Sequence, residues 1–133
     1  MRILADSNMF IDFWRNATQS VVDVFTKEDI VICGVVRCEL LHGAKSDKDF
    51  KNINTVLDAF EEMPFEESDW KQLGKLLYQL RTKGITVPLS DAIIAHVAIK
   101  NRIPVWTNDQ HFLYMQQVLK DLQVMTFAEE KKD

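Results

Sequence analysis

Three short, largely apolar runs, Arg2–Ala5, Asp29–Cys33 and Ile103–Thr107, are each followed by a segment with helical periodicity. No other feature limits the fold as strongly. A strand with so little polar alternation has to be covered on both faces, and strands separated by helices run parallel. After the first run, Ser7-Asn8 is placed to cap a helix carrying Phe10, Ile11, Phe13 and Trp14. Further helices are expected over Thr18–Phe25, Val35–Ala44, Ser46–Phe60, Glu66–Thr82, Asp91–Lys100 and Asp109–Val118, with a closing strand over Val124–Phe127. Gly43 and Gly84 sit where two of these helices should end. The stripe Trp70, Leu73, Leu76, Leu77, Leu80 reads as core or as a dimer face. The chain is therefore expected to be α/β, with residues 1–133 forming one domain and about 128–133 a solvated or frayed tail.

Composition narrows the class further. The 133 residues are 47% hydrophobic and 27% charged, which suits one globular core and argues against disorder. The longest apolar run, near Ile30 to Val36, falls well short of the roughly 18 residues of a membrane span. Arg2 is followed by only three apolar residues before Asp6, too few for a signal-peptide core, so a cytoplasmic location without membrane contact is expected. Cys33 and Cys38 have no thiol or imidazole cluster at zinc spacing and read as small buried hydrophobes. The net charge of -4 speaks mildly against a nucleic-acid partner, unless bound cations reverse the sign locally.

Four acids stand where a fold has no structural need for charge. Asp6 ends the first strand, Glu39 lies within Val35–Leu41, Asp91 opens Ala92–Ala95, and Asp109 follows Ile103–Thr107. Burying unpaired carboxylates is costly, so several that converge require a cation. Parallel sheets bind ligands at the carboxyl ends of their strands, which is where Asp6 and Asp109 fall. Oxygen donors of this kind suit Mg²⁺, with Mn²⁺ as a substitute. Each acid also has a plainer reading. Asp91 and Asp109 can cap helices, Asp6 can serve a turn, and Glu39 can pair with Arg37 or Lys45. Spacing leaves both readings open.

Other chemistries fit less well. Glu39-Leu40-Leu41-His42 has the Glu-x-x-His spacing of di-iron bundles, but that architecture needs a second copy, which the sequence lacks. His96 and His111 are expected to be packed or exposed rather than ligating. There is no Gly-rich phosphate loop and no nucleophile elbow.

Taken in order, Leu4-Ala5-Asp6-Ser7-Asn8 with Ile11-Asp12, Glu39-Leu40-Leu41-His42-Gly43, Leu89-Ser90-Asp91-Ala92-Ile93-Ile94-Ala95 and Thr107-Asn108-Asp109-Gln110-His111-Phe112 resemble the PIN domains. Within them, they are similar to the VapC-type toxins of bacterial toxin–antitoxin pairs, over nearly the whole chain. The resemblance implies a three-layer α/β/α sandwich and a Mg²⁺-dependent endoribonuclease toxin. Its substrate would be tRNA or another structured RNA, its partner a cognate antitoxin, and its assembly a homodimer. Asp6, Glu39, Asp91 and Asp109 match the acidic quartet that binds metal and carries catalysis. Asp6 and Asp91 are first choices as direct ligands, with Glu39 and Asp109 as ligands or as groups that position water. Ser7, Asn8 and Asn108 are candidates to support the metal or contact phosphate, as are Arg15, Arg37, Lys45, Lys48 and Lys83 for the RNA backbone.

Two rivals remain in view. One is a metal-dependent DNA or flap nuclease with the same acids. The other is a non-catalytic Mg²⁺-binding α/β interaction module, which the absence of an acid at the end of Asp29–Cys33 disfavours.

Overall fold

β1 (Arg2–Ala5) and β2 (Asp29–Cys33) are buried at every position but the first, as strands covered on both faces must be. The computed structural model describes residues 1–126. Phe127, expected to end the closing strand, and the tail near 128–133 lie outside the described residues. Between and after these two strands run α1 (Ser7–Asn16), α2 (Gln19–Lys27), α3 (Gly34–His42), α4 (Asp47–Leu57), β3 (Glu61–Met63), α5 (Glu67–Thr82), α6 (Leu89–Asn101), β4 (Val105–Trp106), α7 (His111–Val118) and β5 (Val124–Met125). The strands form one sheet in the order β3-β2-β1-β4-β5, with every neighbouring pair parallel. The architecture is the expected three-layer α/β/α sandwich.

The order of strands is what positions a site. The chain winds from β1 outward through β2 to β3, then returns to place β4 on the other side of β1. The winding direction thus reverses between β1 and β4, and a doubly wound sheet opens a crevice at the carboxyl ends of those two strands. Trp106, Phe25, Phe10 and Phe60 hold this part of the sheet through edge-on ring contacts at 5.1–5.3 Å between Phe25 and Trp106, Phe10 and Phe25, and Phe10 and Phe60.

Several local expectations need correction. β3 was not anticipated, because two of its three residues are glutamates. It forms at the sheet edge, where Glu61 pairs with Arg2 at 2.7 Å and Glu62 with Arg37 at 2.9 Å. Asp6 itself, rather than Ser7-Asn8, caps α1: the helix starts immediately after the strand, and the Asp6 carboxylate accepts the Ser7 N–H. Asp109 precedes α7 instead of opening it. Gly84 closes α5 with φ +80°, a conformation that costs glycine little. Of the α5 stripe, Leu73, Leu76 and Leu80 are core, while Trp70 is 53% exposed. Cys33 is buried as expected, but Cys38 is exposed on α3.

Candidate metal centre and active site

The carboxyl end of β1 delivers Asp6 into the crevice. Only 4% of it is exposed, and its carboxylate is held at both oxygens, Oδ1 by the Ser7 N–H at 2.8 Å and Oδ2 by the Thr107 hydroxyl at 2.8 Å. The carboxyl end of β4 delivers Thr107, Asn108 and Asp109. The fully buried Thr107 hydroxyl also accepts the Asp109 N–H at 2.9 Å, so one side chain ties together two acids that lie far apart in sequence. α6 leads directly into β4 and so runs against the strands, which brings its first turn, and Asp91 within it, to the same edge. α3 leaves the end of β2 with Glu39 on its exposed face, where Glu39 Oε1 accepts a hydrogen bond from Ser7 Oγ at 3.3 Å.

Electrostatics link these groups as the geometry does. Burial pushes the Asp6 carboxyl up to about 6, and the charges of Asp91 and Glu39 add to that, against the pull of its hydrogen bonds from Thr107 and Ser7. Burial also raises Asp91, reinforced by the charges of Asp109 and Glu39 and opposed by His111. Both carboxylates therefore sit in a field that disfavours their charge. Among the described residues, no lysine or arginine forms an ion pair with any of the four acids. The bland account of Glu39 as a partner of Arg37 fails, because Arg37 is taken by Glu62, Asp58 and Asn54. The same commitments remove Arg37 from the candidate phosphate contacts.

His111, expected to be packed or exposed, is partly exposed and also lies against two of the acids. Its Nδ1 lies 2.9 Å from Asp91 Oδ2 and 3.1 Å from Asp109 Oδ1, and its N–H is accepted by Asp109 Oδ1 at 2.9 Å. Burial disfavours the imidazolium, but the Asp109 charge and the bonds to Asp91 outweigh it, so the ring binds its proton more tightly than usual.

The remaining candidates are placed differently from one another. Ser7 touches Glu39. Asn8 Oδ1 is buried without a hydrogen-bond partner. The Asn108 amide turns away to donate to Asp12 Oδ2 at 2.7 Å, bracing the β4 loop against α1. Arg15 and Lys45 line a groove of about 660 Å³ together with Ile11, Trp14, Ile53 and Glu39, so this groove reaches one of the four acids. Thr107 opens one of the motifs that carry the family resemblance, but no role is assigned to it there. Apart from that motif, its signal is a hydroxyl closing an apolar run.

Thr107 should act as a positioning residue. Thr107→Val strands the Asp109 N–H and one Asp6 oxygen and is expected to cost about 1–3 kcal/mol, with a loss of activity that Thr107→Ser restores. Equal activity in the valine and serine variants would exclude that role.

The fold and this cleft define a parallel α/β domain with a carboxylate-rich centre at its switch point. Residues 3–117 match the PIN domain model, and the chain belongs to the PIN domain family. It is 28% identical over 112 residues to Ribonuclease VapC1 of Methanocaldococcus jannaschii, covering 84% of this chain and 79% of that protein. VapBC-1 from nontypeable Haemophilus influenzae superposes with a TM-score of 0.79 at 19% identity, covering 96% of this chain and 98% of that one. VapBC2 from Rickettsia felis, bound to a DNA fragment from its promoter, gives a TM-score of 0.75 at 20% identity over 95% and 98% of the two chains. These structural likenesses are likenesses of fold.

A divalent cation fits the residues present. The donors are carboxylate oxygens, two of the groups have a disfavoured charge, and among the described residues no basic side chain other than His111 forms an ion pair with them. No helix among the described residues is long and apolar enough to cross a membrane.

Proposed function

We propose that this chain is a cytoplasmic, metal-dependent endoribonuclease toxin of the VapC kind, hydrolysing phosphodiester bonds in tRNA or another structured RNA. The observation that carries the reading is the gathering of Asp6, Asp91, Asp109 and Glu39 at one switch point where, among the described residues, no lysine or arginine forms an ion pair with them. Its similarity to Ribonuclease VapC1 supports the choice of RNA over DNA.

In this reading Asp6, Asp91, Asp109 and Glu39 hold Mg²⁺, or Mn²⁺ in its place. The ion supplies a lowered pKa for water and an offset for charge developing on the phosphate. Thr107 and the Ser7 N–H fix both oxygens of Asp6, so that group needs no reorganisation when RNA arrives. Ser7 holds Glu39 toward the cleft. Arg15 and Lys45 take backbone phosphates along the groove that ends at Glu39. Attack by water leaves a 5′-phosphate and a 3′-hydroxyl.

The groove also has half-exposed apolar walls, with Trp14 at 40% and Val56 at 44%, which suits an amphipathic helix of a cognate antitoxin. The exposed Trp70, Tyr78 and Leu89 on the α5–α6 side support a homodimer. Light scattering should then give twice the monomer mass; a monomer at micromolar concentration would remove that assignment.

The test of the activity is incubation of the purified chain with total RNA and Mg²⁺, with an equal arm in EDTA and another with DNA. Cleavage to 5′-phosphate ends should stop with EDTA and return with excess Mg²⁺. RNA cleavage that persists in EDTA, or cleavage confined to DNA, sinks the proposal.

A further inference from the structure

We infer that His111 is a nitrogen ligand of the acidic centre, giving it a mixed oxygen and nitrogen donor set that selects first-row transition dications over Mg²⁺. The inference rests on the metal-dependent reading above and goes beyond it, since an all-carboxylate site favours Mg²⁺ chemistry. One atom from each of Asp91, Asp109 and His111 lies within 4.8 Å of the others. The spacing within that set is what a metal requires. Neighbouring ligands on an octahedral ion with bonds of ~2.1 Å stand ~3 Å apart, and His111 Nδ1 lies 2.9 Å from Asp91 Oδ2 and 3.1 Å from Asp109 Oδ1.

The ring is also held there. The His111 N–H bonds the Asp109 carboxylate at 2.9 Å, and α7 begins at this residue, so backbone and side chain are anchored by the same acid. The imidazole thus needs no change of position to ligate, only its proton on Nε2 and its Nδ1 lone pair toward the acids. The side chain is 41% exposed, so solvent reaches the ring that carries that proton. Imidazole donors raise affinity in the order Mn²⁺ < Fe²⁺ < Co²⁺ and do little for Mg²⁺, which keeps oxygen ligands and water.

Binding rather than cleavage decides the matter. Calorimetric titration of the RNA-free protein with Co²⁺ and separately with Mg²⁺ should show tighter Co²⁺ binding. His111→Asn, with His111→Ala as a second variant, should weaken Co²⁺ by about tenfold or more while changing Mg²⁺ little. Pulsed EPR of the Mn²⁺-loaded protein carrying ¹⁵N-labelled histidine should show a nitrogen coupling that both variants lose. Metal binding without that coupling, or tighter binding of both ions by the variants, overturns the assignment and marks His111 as a counter-cation that metal displaces. Failure of the parent protein to bind either ion overturns it together with the nuclease reading.

Discussion

Asp6→Asn is expected to lower cation-dependent RNA cleavage by about 10²–10³-fold, because it removes a carboxylate fixed at both oxygens before substrate binds. The fold should survive: the amide has nearly the same shape, and the charge it replaces is one the folded state disfavours. That second point makes a separate, activity-free test. With chelator present, folded Asp6 keeps its proton up to about pH 6, whereas the unfolded chain releases it near ~3.9. The folded form therefore holds more protons in this window. The contribution of Asp6 is present in full below the unfolded value and is lost as pH rises through about 6. The parent protein should lose roughly 3 kcal/mol across that window that the asparagine variant does not lose. Parallel pH profiles, or undiminished cleavage by the variant, would remove Asp6 from the centre.

The largest loss of stability should come from a group outside the cleft. Asp69 is fully buried in the first turn of α5. Its carboxylate accepts the Glu66 N–H at 2.6 Å, meets His96 Nε2 at 2.7 Å, and takes Lys100 Nζ at 2.9 and 3.1 Å. The Glu66 N–H and His96 hold its pKa well below the usual carboxylate range in spite of burial. One side chain thus caps α5 and fastens it to α6, the helix that presents Asp91. Asp69→Ala leaves His96 and Lys100 facing an empty acceptor site and should cost about 3–5 kcal/mol, read as a lower urea midpoint at unchanged slope. The stabilisation is present above the unfolded carboxyl value of ~3.9 and is lost as pH falls below it, so the parent and alanine curves should converge in acid. A loss under about 1 kcal/mol would show that the cluster is not a structural tie.

How much of this was readable in advance depended on where the information lies along the chain. β1 and β2 announce themselves, because burial on both faces imposes a continuous apolar run that local sequence displays. Their parallel pairing follows from the helices between them. β3 does not, since an edge strand with one buried residue can carry Glu61 and Glu62, and those charges find Arg2 and Arg37 only in the folded sheet. Asp91 and Asp109 could be singled out as odd, but His111 could not be joined to them, because a spacing of 20 residues between His111 and Asp91 says nothing until α6 and α7 meet. Asp69 was hidden for a related reason. A carboxylate in a first helical turn reads as a cap, and it is one; its partners on α6 have no local signature. Arg37 shows the reverse error, a free-looking cation whose three partners come from α4, from the residue that ends it and from β3.

The return of the chain to lay β4 beside β1 has a consequence for timing. Asp6 is made well before Asp109, and the Thr107 hydroxyl that joins them arrives with β4. No contiguous stretch of the growing polypeptide contains the cleft. A chain of this topology therefore cannot assemble the cleft until β4 has been made and the central pair of strands has closed.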